Sequence, residues 1–258
     1  MNVGGPGGED RLLTCVFSLA LGLGVVYLLH TQLPDGLRII LVGSDAGDDF
    51  PLTIHAAEWL AFFFGLGELT VRFRTAGNEL AELEKGYLPK DERVALQAGR
   101  DMQEYYQRAR DSETANTRFL PRLIQRIIRQ YQGSRSIDQA HSLLNSSMDL
   151  FMHEIDLRYS MLRYTAWVIP SLGFIGTVYG IAEALRKAAT LDTTKMGGNL
   201  LSALTRDLGI AFDTTMLALG LSMVLVFLMH VIQGREERAL NGIAQYCTDN
   251  LIVRIYKE

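Results

Sequence analysis

Cysteine is almost missing from this chain: of 258 residues only Cys15 and Cys247 are cysteines. One lies inside an apolar run and the other far along the chain, so they build no disulfide framework. Without a CxxC or a Cys/His spacing they offer no metal pattern either. Both are read as packing residues. A Ser/His/Asp arrangement and a phosphate-binding loop are missing too, which sets enzymes and bound cofactors aside. No internal repeat and no pair of interrupted half-helices is visible, which counts against a secondary transporter. Charge is missing only locally. Four long apolar windows carry few charged side chains, and a mean hydropathy of +0.10 is high for a soluble domain. The net charge of −4 says little, because basic residues are segregated rather than scarce.

Taken in order, the windows predict an all-α membrane protein with four transmembrane helices and a helical cytoplasmic domain. Residues 1–11 are Gly-rich and read as a cytoplasmic segment. The first hairpin occupies 12–71, with spans at about 12–29 and 52–71. The first of these reads as a retained helix, since no small-residue cleavage site follows it. The loop at 30–50 holds the turn signal Pro34-Asp35-Gly36 and the acidic group Asp45, Asp48 and Asp49. A cytoplasmic helical domain fills 72–163, a second hairpin fills 164–232 with spans at about 164–185 and 208–232, and a C-terminal helix fills 233–258. Orientation follows from the fifteen Lys and Arg between 72 and 163, against Arg38 alone in the first outer loop. The positive-inside rule places that segment, and with it both termini, in the cytoplasm. Arg186, Lys187, Lys195 and Arg206 in the second outer loop argue the other way.

Within the cytoplasmic segment, helices are predicted at 91–110 and 117–131, the second interrupted early by Pro121 and ended by Gly133. Arg118, Arg122, Arg126 and Arg129 form a stripe on it, read as a solvated face or as a surface for lipid headgroups or another protein. Ser136 and Gln139 have capping-box spacing, and apolar residues then keep helical period into the third span, which predicts one long helix. A separate amphipathic helix is predicted over 236–256.

The second span contains His55, Glu58 and Glu68. Glu68 precedes Arg72 by four residues, the spacing of an intrahelical ion pair. His55 and Glu58 share a face and stand as secondary candidates for a proton or cation site, beside a reading as buried packing groups.

The sharper pattern lies in the second hairpin. Pro170, Gly173, Thr177 and Gly180 recur at i, i+3, i+7 and i+10, and Gly176 with Gly180 makes a GxxxG pair that lets a helix backbone approach closely. In the fourth span Ala211, Thr215, Ala218 and Ser222 fall at i, i+4, i+7 and i+11. Thr177 and Thr215 both lie about 12 Å from the outer ends of their helices at the helical rise. Antiparallel neighbours therefore hold both hydroxyls at one level, lining a pathway or serving as packing glue. Asp213, seven residues after Arg206, reads as an ion-pair partner or a relay. Threonine does not titrate, so the acid that a proton pathway needs is expected from another chain.

The run Pro170-x-Leu172-Gly173-Phe174-Ile175-Gly176-Thr177-Val178-x-Gly180 resembles the pore-helix signature of the MotA/TolQ/ExbB proton-channel family. Residues 208–223, LGIAFDTTMLALGLSM, are similar to its other pore-lining helix. The resemblance implies a homo-oligomeric ring in the bacterial inner membrane, typically a pentamer. Such a ring surrounds a dimer of a single-span MotB/TolR/ExbD-like protein whose membrane aspartate is loaded and discharged as protons or sodium ions pass. Ion flow is converted into rotation or mechanical work, with no cofactor and no nucleic acid. It also implies that Thr177 and Thr215 are the pore threonines, with Thr214 an alternative register, Pro170 the helix-bending proline, and Gly173, Gly176 and Gly180 the close-packing glycines. The layout is MotA-like and the pore wording TolQ-like. A non-conducting membrane scaffold remains the rival reading.

Overall fold

The computed structural model describes residues 7–43, 53–89, 100–190 and 197–255, and all regular structure among them is helical. Asp45, Asp48, Asp49, Lys195, the Gly-rich residues 1–6 and the predicted helical turns at 91–99 lie outside the described residues. The chain divides into two compact units, Met1–Val71 with Met161–His230 and Arg72–Ser160 with Val231–Glu258.

The first unit contains α1 (Gly7–Gln32), α2 (Asp35–Val42), the first part of α3 (Ile54–Glu84), most of α7 (Ser160–Thr190) and much of α8 (Gly197–Cys247). Three described stretches are long and apolar enough to cross a membrane: Arg11–Gln32, Ile137–Ala189 and Leu204–Ile252. The α3 helix is not among them, because His55, Glu58 and Glu68 dilute its apolar run. Phe17 and Leu21 on α1, Phe174 and Val178 on α7, and Phe212, Met216 and Phe227 on α8 are exposed, as side chains facing hydrocarbon are.

Part of the predicted first outer loop is helical. Pro34 caps α2 in extended conformation, and Gly43 closes it at φ 74°, donating to the Ile39 carbonyl at 2.9 Å. Trp59 Nε1 donates to the Leu41 carbonyl at 2.9 Å and ties α2 to α3. Glu68 is held between helices: Arg11 Nε and Nη2 reach its two oxygens at 2.8 and 2.9 Å. Beyond the intrahelical spacing to Arg72, Glu68 thus has a bidentate partner on another helix.

The second unit is built on α4 (Arg100–Arg110), α5 (Phe119–Ser134) and α6 (Ile137–Arg158), with the end of α8. Phe119, Leu120, Leu123, Ile124, Ile127 and Ile128 bury one face of α5, and the Phe119 and Phe151 rings stack with centroids 4.7 Å apart. Pro121 falls in the first turn of α5, where no helical N–H bond is lost, so it interrupts nothing. Gly133 sits inside the helix, and Arg135 makes the left-handed stop at φ 51°. Ser136 does cap α6, accepting from the Gln139 N–H at 3.4 Å. The Gln139 side chain turns instead to Gln130, so only half of the box forms.

Three arginines of the stripe are half-buried and engaged by neighbours, while Arg129 is exposed. Arg118 pairs with Glu79 at 3.6 Å and Arg122 with Glu154 at 3.2 Å, while Arg122 and Arg126 lie 4.8 and 5.4 Å from the Phe151 ring centre. The predicted single helix into the third span is interrupted at Tyr159, whose hydroxyl donates to Glu236 at 3.0 Å. Conversely, the predicted C-terminal helix is no separate element: α8 runs on to Cys247 and ends in a π-helical turn, Thr248–Ile252.

Candidate functional site

Helices α7 and α8 touch along the two small-residue stripes. A Cβ added at Gly173 would lie 2.6 Å from the Ala218 Cβ, one at Gly176 2.6 Å from the Thr214 Oγ1, and one at Gly180 2.5 Å from the Ala211 Cβ. None of these positions accepts even a methyl group without movement. The glycine face is therefore used within one chain, by the chain's own α8.

This approach assembles a hydroxyl cluster. The Gly173 carbonyl accepts from Thr215 at 2.9 Å and from Thr214 and Thr177, each at 3.2 Å. The Ala211 carbonyl is 2.7 Å from the Thr214 hydroxyl and 2.9 Å from that of Thr177. Thr177 and Thr215 also share a direct hydroxyl–hydroxyl hydrogen bond. Thr177 has one proton for three acceptors, so bonds within the cluster exchange without any group leaving its place. Proline at 170 has no N–H for the Ala166 carbonyl, and the Ser222 hydroxyl donates to that carbonyl at 2.9 Å.

Other sequence candidates lie elsewhere. Asp213 is half-buried and makes no hydrogen bond or ion pair among the described residues. The expected pair with Arg206 does not form, since seven residues separate the two by about 10 Å along a helix. The adjacent Asp207 is paired instead, with Lys187 at 2.7 Å, a contact between distant positions that spacing could not disclose. His55 and Glu58 are buried, and neither the His55 Nε2 nor either Glu58 oxygen has a hydrogen-bond partner among the described residues.

His55 does come near the threonines in one respect. A cavity of about 510 Å³ is walled by Gly43, Thr53, Ile54 and His55 on one side, by Gly176, Tyr179, Gly180, Glu183 and Lys187 on another, and by Asp207, Ile210, Ala211 and Thr214 on the third. Glu58 does not line it.

The MotA/TolQ/ExbB proton channel family matches residues 111–245, just over half of the chain. The chain belongs to this family. No curated protein and no solved structure matches it. As a member of the MotA/TolQ/ExbB family with long apolar helices, it is a membrane protein of a proton-channel class. The matched segment contains α5, α6, α7 and most of α8, and so all of the glycine–threonine interface. His55 and Glu58, on α3, lie outside it. For this MotA/TolQ/ExbB member the chemistry of the cluster is limited in one respect. Its hydroxyls and carbonyls relay hydrogen bonds, but no carboxylate is bonded to them among the described residues.

Proposed function

We propose that this chain is the ring subunit of an inner-membrane motor driven by ion-motive force. Four spans carry it: α1, residues 52–71, and the membrane parts of α7 and α8, with both termini in the cytoplasm. Fifteen basic residues between 72 and 163 support that orientation, and of the contrary loop residues Arg186 and Lys187 are paired with Glu183 and Asp207. Several copies, typically five in the family, surround a dimer of a single-span MotB/TolR/ExbD-like protein. The partner's membrane aspartate supplies the titrating group, and protons, or sodium ions, pass at the interface and drive rotation or mechanical work.

The observation that carries this reading is the cluster of Thr177, Thr214 and Thr215 on the Gly173 carbonyl, at one depth and without an acid of its own. A second reading, a non-conducting oligomeric scaffold, is favoured by the same bonds, because every hydroxyl already has an acceptor inside its own chain. Thr177→Val and Thr215→Val separate the two. In vesicles holding the chain with its single-span partner, a motor subunit keeps its assembly but loses dye-reported proton flux. A scaffold keeps both its assembly and the activity of the machine it holds.

A further inference from the structure

The α7–α8 interface explains how hydroxyls are held together but not how an ion arrives at them. The cavity beside it carries the features of an entrance. Its volume of about 510 Å³ leaves room for many waters, since one needs only about 15 Å³ of such space. Water also needs polar partners, and the walls provide the hydroxyls of Thr53, Tyr179 and Thr214. The wall also carries a buried imidazole. His55 is 2% exposed, and its Nε2 has no hydrogen-bond partner among the described residues. A buried nitrogen in that condition is unfavourable unless something bonds it. Gly43 fixes where the ring stands: a Cβ there would collide with the imidazole, so the left-handed cap of α2 closes directly over it.

Glu183 and Asp207 line the space against a single cation, Lys187. Each acid is paired with a base, Glu183 with Arg186 and Asp207 with Lys187, so the walls are polar and close to neutral overall. The floor is made of Gly176, Gly180, Ala211 and Thr214, so the cavity ends where the hydroxyl cluster begins. From Thr214 the next polar atom is the Gly173 carbonyl at 3.2 Å, which Thr177 and Thr215 share.

We propose that this cavity is a hydrated inlet inside each subunit, through which a proton or small monovalent cation passes from the outer side to Thr214, with His55 holding water at its wall. The proposal rests on the motor reading for its direction and its cargo. His55 is a positioning residue here: it orders water and is not itself required to carry the ion.

The test uses the full chain assembled with its single-span partner in right-side-out vesicles. Ile210→Cys and Thr53→Cys place a thiol on two cavity walls, and the buried Cys15 and Cys247 of the parent chain give the background. A membrane-impermeant methanethiosulfonate added outside labels both positions, and the same reagent confined inside labels neither. Adding His55→Phe, which plugs the wall with apolar surface, slows labelling at position 210 and proton flux by about tenfold, whereas His55→Asn restores both. If His55→Phe does not assemble, Ile54→Trp obstructs the same space from a residue without a polar role. Labelling from the inside only, or flux indifferent to both plugs, overturns the inlet. Flux blocked by Thr177→Val with position 210 unlabelled from outside overturns the inlet alone. Outside labelling with flux unchanged by Thr177→Val overturns the motor reading instead.

Discussion

The Ser222 hydroxyl donates at 2.9 Å to the Ala166 carbonyl, the acceptor that Pro170 leaves without its helical donor. The bend of one helix is thus answered by a side chain of the next, which makes the two residues energetically dependent. Ser222→Ala strands a carbonyl in apolar surroundings and is expected to cost about 1–2 kcal/mol. In a Pro170→Ala background the backbone N–H returns, and the same serine substitution becomes nearly neutral. A double-mutant cycle measured by unfolding of the purified protein in detergent gives the coupling directly. Equal costs in both backgrounds would show that the carbonyl is satisfied some other way.

Gly180 and Ala211 are fitted so closely that their sizes are exchangeable. Gly180→Ala places a methyl 2.5 Å from the Ala211 Cβ, and overpacking of this kind costs about 1–3 kcal/mol. Ala211→Gly in the same chain removes the opposing methyl. The pair is expected to recover most of the loss, with a remainder because the Ala211 Cα stays 3.2 Å from the added atom. Thermal unfolding of the two single variants and the pair checks this. No recovery in the pair would place the strain elsewhere.

How far the fold could be read beforehand varied with the range of the interaction. Local periodicity marks the glycine and threonine stripes and puts Thr177 and Thr215 at one depth, because both depend only on the helical rise. It cannot say whether a small-residue face meets a second chain or the same one, and here it meets α8 of the same chain. Short elements escape periodicity, so eight-residue α2 was hidden behind the turn signal at Pro34. The polar residues from Arg235 onward do not end α8, which runs through Gly234, since a helical glycine costs only about 1 kcal/mol. Nothing about Tyr159 marks a break, and the partner of its hydroxyl, Glu236, lies far along the chain. The partners of Glu68, Asp207 and the arginine stripe are likewise long-range and carry no signature in spacing.

Arg11 and Glu68 form a lopsided pair: the guanidinium is 42% exposed and the carboxylate 4%. Removing the exposed member takes the bidentate cation from a buried carboxylate that keeps neighbours such as the Cys15 thiol at 3.4 Å, which is the costlier error. Arg11→Ala is expected to lose on the order of 2 kcal/mol, discounted from the 3–5 typical of a fully buried pair because Arg11 reaches solvent. Glu68→Gln should lose less, and Arg11→Leu with Glu68→Leu should be close to the parent chain. Unfolding midpoints of these variants rank the three, and a worse result for Glu68→Gln than for Arg11→Ala would refute the asymmetry.

Glu79 gives the second unit a dependence on pH. Burial pushes its carboxyl up to about 7, even though the Phe119 N–H donates to it at 3.1 Å and Arg118 stands 3.6 Å away. Its ordinary value is 4.5, so between about pH 4.5 and 7 the folded chain keeps a proton that the unfolded chain has released. Stability from this group is therefore complete below the window and lost as pH rises through it, by up to about 3 kcal/mol. Glu79→Gln keeps the acceptor for Phe119 and removes the titration. The variant should match the parent near pH 5 and exceed it near pH 8, with a flatter slope between. Chemical unfolding followed across that range reads the difference, and identical slopes in the two proteins would mean that the Glu79 carboxyl is ionised at its ordinary value in the folded chain.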